Sequence, residues 1–470
     1  MKKFLSLALT LLLLCTLTIS AFAADDGSIT VKGLVEDAEY NVYKLLDLQA
    51  YDAGTANYYY TVNSAWAGFF ATDEAKAYVN MDDGHVVWIE GADAAAFAQK
   101  ALAYAENNGI SPVKTTEDMA VSGDTGVFSD LSLGYYLVDS SVGALCNLTT
   151  TNPDAEIDEK NTVPTIDKET ESASASIGSI VNFNVTITVG AGAEGYVLHD
   201  KMTAGLTFVH DVANGRGVKS ITLGEETLVE DTDYTVKTTG FNEGHDCTFE
   251  VIFTEAGMAK MTTGATVVVS YNAQLNENAI VVTAENKAHL EYGDNMTDET
   301  ITDTTETKTY SIDLIKTDGD DQLIDGAEFR IYDAMTGGNE IKVVKMDNGN
   351  YRLAMPEEVG EVIVVKDGKV TIEGFGAGTY YLEETKAPTG GYNMLTTRKS
   401  FTISSADLVA EFNEGVYNAG TGVQVVNKTG SLLPETGGVG TVIFVTIGTL
   451  AVLAAGVLLV TKKRMGMIQE

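Results

Sequence analysis

The stretch SIVNFNVTITV, from Ser179 to Val189, alternates apolar and polar side chains with a period of two. Successive side chains of a β-strand point to opposite faces, so this alternation is typical of a strand with one buried face. Similar runs rich in Thr, Val, Ile and Tyr, separated by Gly, Asn and Asp, recur at 28–33, 265–275, 369–375 and 378–384. The pattern predicts an all-β protein.

One segment is clearly helical in pattern, DAAAFAQKALAYAENNG, from Asp93 to Gly109, with a glycine as its stop signal. The strand-like runs do not alternate with helices as βαβ units would. We therefore expect antiparallel β-sandwiches arranged in series along the chain.

The start of the chain has the composition of a secretory signal. Lys2 and Lys3 precede a long apolar run, and Ala-Phe-Ala follows at 21–23. This order predicts a signal peptide over residues 1–24.

The other end has the composition of a membrane anchor. Residues 439–461 form an apolar run without charge, and residues 462–470 begin with Lys-Lys-Arg. A helix of about 22 residues spans ~33 Å, enough to cross a hydrocarbon core. The basic tail predicts that the rest of the chain faces outward.

The predicted exported part is strongly acidic. The chain has 30 Lys and Arg against 67 Asp and Glu, and the two predicted ends hold five of the basic residues but only one acidic residue. The remainder carries a formal charge of about −41, which opposes binding to nucleic acid or anionic lipid. Cys146 and Cys247 alone remain after processing, so we expect no disulfide framework.

Two polar segments predict the domain boundaries. TNPDAEIDEKNTVPTID, at 151–167, holds two of the six prolines, and the stretch at 293–310 is acidic and rich in threonine. Both are interpreted as linkers. They predict an N-terminal domain at 25–160, a second domain at 161–305 and a third at 306–430.

A pentapeptide, Leu433-Pro434-Glu435-Thr436-Gly437, stands directly before the predicted span. Pro434 favours an extended backbone and disfavours a helix at Leu433. Motif, span and basic tail in this order resemble the sorting signal of Gram-positive surface proteins. The resemblance implies that a sortase, a cysteine transpeptidase, cuts between Thr436 and Gly437 and passes Thr436 to an amine. Membrane anchoring would then be transient.

The third predicted domain contains YYLEETKAPTGGY, Tyr380–Tyr392, with IDLIKTDGDDQLIDGAEFRIYD upstream and VQVVNKTG downstream. The first stretch resembles the E-box of pilin subunits, apart from the inserted Gly391. Together the three stretches resemble a Cna B-type domain, an immunoglobulin-like β-sandwich.

This resemblance implies an internal isopeptide bond between Lys316 and Asn427, assisted by Glu384. The three residue types suit that chemistry. Burial of Lys316 would lower the pKa of its amine and free it as a nucleophile. Asn427 supplies the carboxamide carbon, and Glu384 polarises the amide and transfers protons as ammonia leaves.

The second predicted domain resembles the Cna A-like domain of major pilins through three stretches, at 163–189, 196–208 and 282–294. The resemblance implies a second isopeptide bond, with Lys168 as the nucleophile, Asn286 as the electrophile and Asp200 as the assisting acid.

The N-terminal domain, with GSITVKGLVEDAEYNVYKLLDLQ and GYYLVDS, is similar to the first domain of pilin shafts. No lysine–acid–asparagine trio is assigned there, although Lys44 is a candidate nucleophile. Pilin shafts carry an acceptor lysine in a Tyr-Pro-Lys-Asn-like motif at the end of this domain. The corresponding stretch here, IDEKN, keeps Lys160 and Asn161, which implies Lys160 as the acceptor.

The sequence thus resembles major, or backbone, pilins of Gram-positive sortase-assembled pili. The resemblance implies a structural subunit of a wall-anchored surface pilus, joined through Thr436 to Lys160 of the next copy. Its implied partners are a pilus-class sortase, a housekeeping sortase, other copies of itself, minor and tip pilins, and peptidoglycan. The alternative is a wall-anchored adhesin or minor pilin displayed singly.

A third class, a secreted hydrolase, would need a catalytic constellation. The five histidines are scattered without metal-ligand spacing, and there is no serine-nucleophile elbow. His199 beside Asp200 is therefore predicted to have a local structural role. We expect no enzymatic activity, no cofactor and no metal site.

Overall fold

The computed structural model describes residues 26–52, 57–151, 153–242, 244–280, 283–293, 298–404, 422–430 and 439–466. The predicted signal peptide and the LPETG pentapeptide lie outside these residues. The chain divides into two compact units. Unit 1 comprises Met1–Ala175 and Ser179–Lys308, and unit 2 comprises Ser176–Gly178 and Thr309–Glu470.

The first sandwich, in unit 1, contains β1 (Asp26–Lys32), β2 (Tyr40–Asp52), β3 (Asn57–Val62), α1 (Ala67–Ala71), α2 (Asp73–Lys76), β4 (Val79–Asp82), β5 (His85–Trp88), α3 (Ala94–Asn108), β6 (Lys114–Thr115), β7 (Met119–Ser122), β8 (Thr125–Ser132), β9 (Gly134–Ser140), β10 (Gly143–Thr151) and β11 (Asp154–Asp158). One sheet has the order β11-β1-β8-β7 and the other β10-β9-β2-β3, with β6 also paired to β2. A separate ribbon is formed by β4 and β5.

The predicted helix is confirmed as α3. The Asp93 side chain accepts hydrogen bonds from two backbone N–H groups of the first turn, and Gly109 ends the helix with a φ of 64°. Phe97 and Leu102 are among the residues that bury its apolar face. The helices α1 and α2 were not predicted, because segments of five and four residues are too short to show helical periodicity.

The second sandwich, also in unit 1, contains β12 (Thr165–Thr170), β13 (Ile180–Thr188), β14 (Val197–Met202), β15 (Leu206–Thr207), β16 (Gly217–Leu223), β17 (Glu226–Thr227), β18 (Tyr234–Lys237), β19 (Phe249–Phe253), α4 (Glu255–Met258), β20 (Thr266–Leu275), β21 (Ala284–Tyr292), β22 (Asp298–Glu299) and β23 (Asp303–Thr307). One sheet has the order β12-β13-β20-β16-β17, with β15 paired to β20. The other has the order β18-β19-β14-β21-β22, with β23 paired to β21.

The alternating stretch that predicts a strand forms β13, and its alternating apolar residues face the core. Val181, Phe183, Val185 and Ile187 are buried in a core that also contains Leu198 from the opposite sheet. The intervening side chains of β13 are half-buried. The prediction of β-sandwiches is therefore confirmed at its starting stretch.

The segment predicted as a linker, at 151–167, contains β-strands. The strand β10 continues to Thr151, β12 begins at Thr165, and β11 lies between them in parallel pairing with β1. Ala155 and Ile157 of β11 pack against the core, so this short alternation is a strand that its polar neighbours obscured. The acidic segment at 293–310 likewise contains β22 and β23, and β23 pairs with β21.

The third sandwich, in unit 2, contains β24 (Tyr310–Thr317), β25 (Glu328–Tyr332), β26 (Glu340–Ile341), β27 (Val343–Lys345), β28 (Tyr351–Leu353), β29 (Ile363–Val364), β30 (Lys369–Phe375), β31 (Gly378–Lys386), β32 (Lys399–Ile403) and β33 (Val423–Val426). One sheet has the order β27-β28-β30-β24-β33, and the other β26-β25-β31-β32, with β29 paired to β25. The first strand, β24, pairs in parallel with the last strand, β33.

The predicted membrane helix is α5 (Val439–Gly466). Its segment Val445–Lys462 has a mean hydropathy of 2.0, which makes it long and apolar enough to cross a membrane. The helix begins where the sequence predicts and continues into the basic tail, past the predicted end of the span at 461.

Candidate functional site

Four side chains meet in the core of the second sandwich, and we call them cluster A: Lys168, Asp200, Tyr271 and Asn286. Lys168 on β12 and Tyr271 on β20 belong to one sheet, whereas Asp200 on β14 and Asn286 on β21 belong to the other. The exposed fraction is 5% for Lys168 and 0% for Asp200, Tyr271 and Asn286. The cluster therefore connects the two sheets across the core.

The contacts of cluster A converge on Tyr271 and Asp200. Lys168 Nζ lies 2.6 Å from Asp200 Oδ2 and donates to the Tyr271 hydroxyl. That hydroxyl donates to Asp200 Oδ2 at 2.5 Å and accepts from Asn286 Nδ2 at 3.1 Å. The lysine, acid and amide that sequence reasoning named are brought together.

Burial favours neutral forms throughout cluster A. It lowers the pKa of Lys168, although the neighbouring Asp200 opposes the shift, and it raises the pKa of Asp200. It also raises the pKa of the Tyr271 phenol well above its usual value. A neutral amine and a protonated carboxyl are the forms that a nucleophile and an acid require.

Tyr271 was missed by sequence reasoning. It lies on the buried face of β20, in phase with Val267, Val269 and Ala273. A hydroxyl on such an apolar face needs a buried hydrogen-bond partner. The position of a tyrosine in this alternation was therefore the sequence feature that could have identified Tyr271.

Three side chains meet in the third sandwich, and we call them cluster B: Lys316, Glu384 and Asn427. Each one continues a buried alternation, Lys316 after Leu314, Glu384 after Leu382 and Asn427 after Val425. Their exposed fractions are 0%, 3% and 1%. The β24–β33 pairing brings Lys316 opposite Val425, two residues before Asn427.

The acid of cluster B contacts the amide directly. Asn427 Nδ2 donates to Glu384 Oε2 at 2.8 Å and to the Asn393 carbonyl at 2.7 Å. The same carboxylate oxygen accepts from the Leu395 N–H at 2.7 Å. The segment after the E-box-like stretch therefore fixes both the acid and the amide.

The lysine of cluster B is held by backbone carbonyls. Lys316 Nζ donates to the Val425 carbonyl at 2.8 Å and to that of Thr317 at 3.3 Å. Burial lowers the pKa of Lys316 to about 8, against the opposing effect of Glu384. The Lys316 amine therefore loses its proton more readily than that of an ordinary exposed lysine.

The two clusters share one feature of their hydrogen bonding. Among the residues that the structure describes, the buried oxygens without a hydrogen-bond partner include one carboxyl and one amide oxygen of each cluster: Asp200 Oδ1, Asn286 Oδ1, Glu384 Oε1 and Asn427 Oδ1. Leaving a buried acceptor unpaired costs about 1–3 kcal/mol. Unpaired buried groups of this kind require an explanation, and a chemical role is one that accounts for them.

The other predicted residues have different surroundings. Lys160 is exposed, two residues after the end of β11, and its Nζ donates to the Cys146 carbonyl at 3.4 Å. Its neighbour Asn161 is buried and forms hydrogen bonds with both backbone groups of Leu145. Lys44 contacts Asp47 at 2.7 Å and Ser132 at 2.6 Å, so its described contacts include an acid but no asparagine. Thr436 and the rest of the LPETG pentapeptide lie outside the described residues.

Two family models match the chain. The SpaA prealbumin-like fold domain matches residues 310–414, and the LPXTG cell wall anchor motif matches residues 425–465. In a sequence comparison, no curated protein matches the chain.

Several solved structures are similar to the chain. The T6 backbone pilin of Streptococcus pyogenes shares 18% identity over 82% of this chain and 81% of its own, with a TM-score of 0.52. The major pilin SpaD of Corynebacterium diphtheriae shares 17% identity over 86% and 98%, with a TM-score of 0.49. The RrgB pilus protein of Streptococcus pneumoniae shares 16% identity over 87% and 99%, with a TM-score of 0.45.

The comparisons confirm two predictions. The similarity to the T6 backbone pilin shows that the chain has the fold of a major pilin. The anchor match shows that it carries the sorting signal of a Gram-positive surface protein, which localises it to the cell wall.

Proposed function

We propose that this chain is the shaft subunit of a covalently polymerised surface pilus, stabilised by internal isopeptide bonds. The observation that carries the proposal is the pair of buried lysine–acid–asparagine clusters, one in each of two sandwiches, in a chain that ends in a cell wall anchor. A buried lysine is costly to retain unless it is paired or used in chemistry. The role proposed is structural and not enzymatic.

In cluster A, the neutral Lys168 amine attacks the side-chain carbonyl carbon of Asn286. The C–N bond to Nδ2 breaks, one proton moves from the attacking amine to the leaving nitrogen, and ammonia departs. Asp200 and Tyr271 both contact the lysine, and the Tyr271 hydroxyl also contacts the amide. These two side chains therefore provide a route for the proton.

In cluster B, Lys316 attacks Asn427 in the same way. Here the acid Glu384 contacts the amide itself, at 2.8 Å from Nδ2. Glu384 is therefore positioned to polarise the amide and to deliver a proton to the departing nitrogen. Each bond forms once per molecule, so the chemistry is maturation and not turnover.

Polymerisation would use the chain's other two reactive groups. A pilus-class sortase joins Thr436 of one copy to Lys160 of the next, and a housekeeping sortase transfers the finished polymer to peptidoglycan. Minor and tip pilins are the further partners proposed. The exposure of Lys160 supports its assignment, because an intermolecular acceptor must reach a sortase acyl-enzyme.

Intact mass tests the internal bonds. The mature protein is expected to be lighter than its sequence by two molecules of ammonia, one for each cluster. Lys316→Ala or Asn427→Ala should restore one of them, and Lys168→Ala or Asn286→Ala should restore the other. A wild-type mass equal to that of the mature sequence would contradict bond formation in both clusters.

The assisting acid of cluster B has a matched control beside it on β31. Glu384→Ala is expected to leave Lys316 and Asn427 unlinked, because the amide is no longer polarised, and mass spectrometry should find one ammonia retained. Glu383 pairs with Arg398 at 2.9 Å and is 40% exposed. Glu383→Ala should therefore crosslink normally. Full crosslinking in the Glu384→Ala variant would show that Glu384 is not the assisting acid.

A further inference from the structure

A cluster of histidines and glutamates lies on the opposite face of the sheet from Asp200 and Asn286. His199 on β14 is directly opposite Glu250 on β19 and His289 on β21 in the strand register. Each of these three residues immediately precedes or follows an inward-facing residue of its strand, so the pleat places all three on the outer face. The scattered sequence positions concealed this proximity.

The histidines and glutamates on this outer face are mostly shielded from solvent. His199 and Glu250 are each 2% exposed, and Glu291, on β21, is 8% exposed. His245, from the segment between β18 and β19, lies over His199 with ring centroids 4.8 Å apart, at an interplanar angle of 89°. A buried group of this polarity requires partners that offset the loss of water.

Each nitrogen atom of the His199 and His245 rings lies near a carboxylate. One carboxylate faces the two Nδ1 atoms and the other faces the two Nε2 atoms. Glu250 Oε1 lies 3.4 Å from His199 Nδ1 and 3.1 Å from His245 Nδ1. Glu291 faces the other nitrogen of each ring, with Oε2 lying 3.0 Å from His199 Nε2 and Oε1 lying 3.3 Å from His245 Nε2. His199 Nε2 is buried and makes no hydrogen bond of acceptable geometry among the described residues.

We propose that His199, His245 and Glu250 bind a divalent transition metal, best matched by zinc, and that Glu291 orients the two histidines. The three donor atoms all lie within 4.8 Å of one another. Zinc takes imidazole and carboxylate ligands at about 2.0–2.2 Å, so donors of a tetrahedral site lie roughly 3.3–3.5 Å apart. The Nδ1–Oε1 distances of 3.1 and 3.4 Å are close to that spacing.

The surroundings support a metal rather than a proton as the shared cation. Metal-binding histidines commonly turn their second ring nitrogen towards a carboxylate, and Glu291 lies 3.0 Å from His199 Nε2 and 3.3 Å from His245 Nε2. Cys247 Sγ lies 3.3 Å from His199 Nδ1, which places a soft donor beside the site. His245 is partly exposed and gives the metal a path from solvent.

Zinc binding to the full chain, purified in detergent, tests the proposal. Titration with zinc chloride against a chromophoric chelator should show one equivalent bound tightly. Glu291→Gln should weaken binding by about 10–100-fold, the usual effect of removing an orienting carboxylate. His245→Ala removes a ligand from a surface segment and should weaken binding at least as much.

The control is His210→Ala, because His210 pairs with Glu230 at 2.9 Å in the same unit but outside the cluster. The His210→Ala variant should bind zinc as the wild type does. Zinc should raise the melting temperature of the wild type and of His210→Ala, but not that of His245→Ala. The acidic surface will also bind metal ions weakly. If the wild type shows only such weak binding, or if His245→Ala binds as tightly as the wild type, the cluster is a metal-free hydrogen-bonded network and the proposal is wrong.

Discussion

Replacing Lys160 with arginine is expected to abolish the ladder of high-mass polymers that shaft subunits form in cell wall extracts. The guanidinium keeps the positive charge but stays protonated, so it cannot attack a sortase acyl-enzyme. Because Thr436 is unchanged, the monomer should still be attached to the wall. The measurement is an immunoblot of wall extracts boiled in SDS, from a strain that carries the pilus sortase.

Lys32 supplies the matched control for this experiment. It lies on β1, the neighbour of β11, and pairs with Glu156 through an exposed side chain. Lys32→Arg should leave the ladder intact. A ladder that persists in the Lys160→Arg strain would mean that another lysine is the acceptor. If the wild type forms no ladder in such a strain, the alternative of an adhesin or minor pilin displayed singly is correct.

The isopeptide bond proposed for cluster A should contribute strongly to stability, so its removal should cause a large loss. A link between Lys168 and Asn286 closes a loop of about 120 residues, for which the chain-entropy model of crosslinks gives ~4–5 kcal/mol. Lys168→Met and Asn286→Ala should each lower the free energy of unfolding by roughly this amount. Since both remove the same bond, the double variant should lose little more than either single one. Denaturant titration of the purified proteins measures the effect.

Asn276 provides a comparison within unit 1. It is also a buried amide, and it donates to the Ala204 carbonyl at 2.9 Å and to Thr207 Oγ1 at 2.8 Å, with no lysine contact described. Asn276→Ala should cost about 1–3 kcal/mol through its lost hydrogen bonds, with no change in crosslinking. Equal losses for Asn276→Ala and Asn286→Ala would indicate that no bond joins Lys168 to Asn286.

The inward-facing residues of the clusters could be predicted because their signal is local. A period of two places Lys316 in phase with Leu314, and Glu384 in phase with Leu382, which is compatible with burial of both side chains. Resemblance to pilins then supplied the pairing of lysine with asparagine. The helix α3 was predictable for the same reason, because both of its caps are adjacent in sequence.

The contacts that sequence analysis missed depend on strand register, which brings together residues far apart in the chain. Tyr271 reaches cluster A only because β20 lies beside β13, and His199 meets His289 only through the pairing of β14 with β21. No spacing in the sequence reveals such neighbours. The strand β11 was interpreted as part of a linker because only two of its residues, Ala155 and Ile157, are apolar, and they alternate with charged residues.

The parallel pairing of β24 and β33 has a mechanical consequence. Tension applied to the third sandwich through its two ends would act on Tyr310 at the start of β24 and on Asn427 just after β33. In parallel strands these points lie at opposite ends of the pair, so the strands would be drawn past each other in shear. Their hydrogen bonds would then be strained together rather than opened one after another, as in unzipping an antiparallel hairpin. With Lys316 joined to Asn427, about 110 residues, or on the order of 370 Å of extended chain, would be withheld from stretching. The sandwich would then be nearly inextensible.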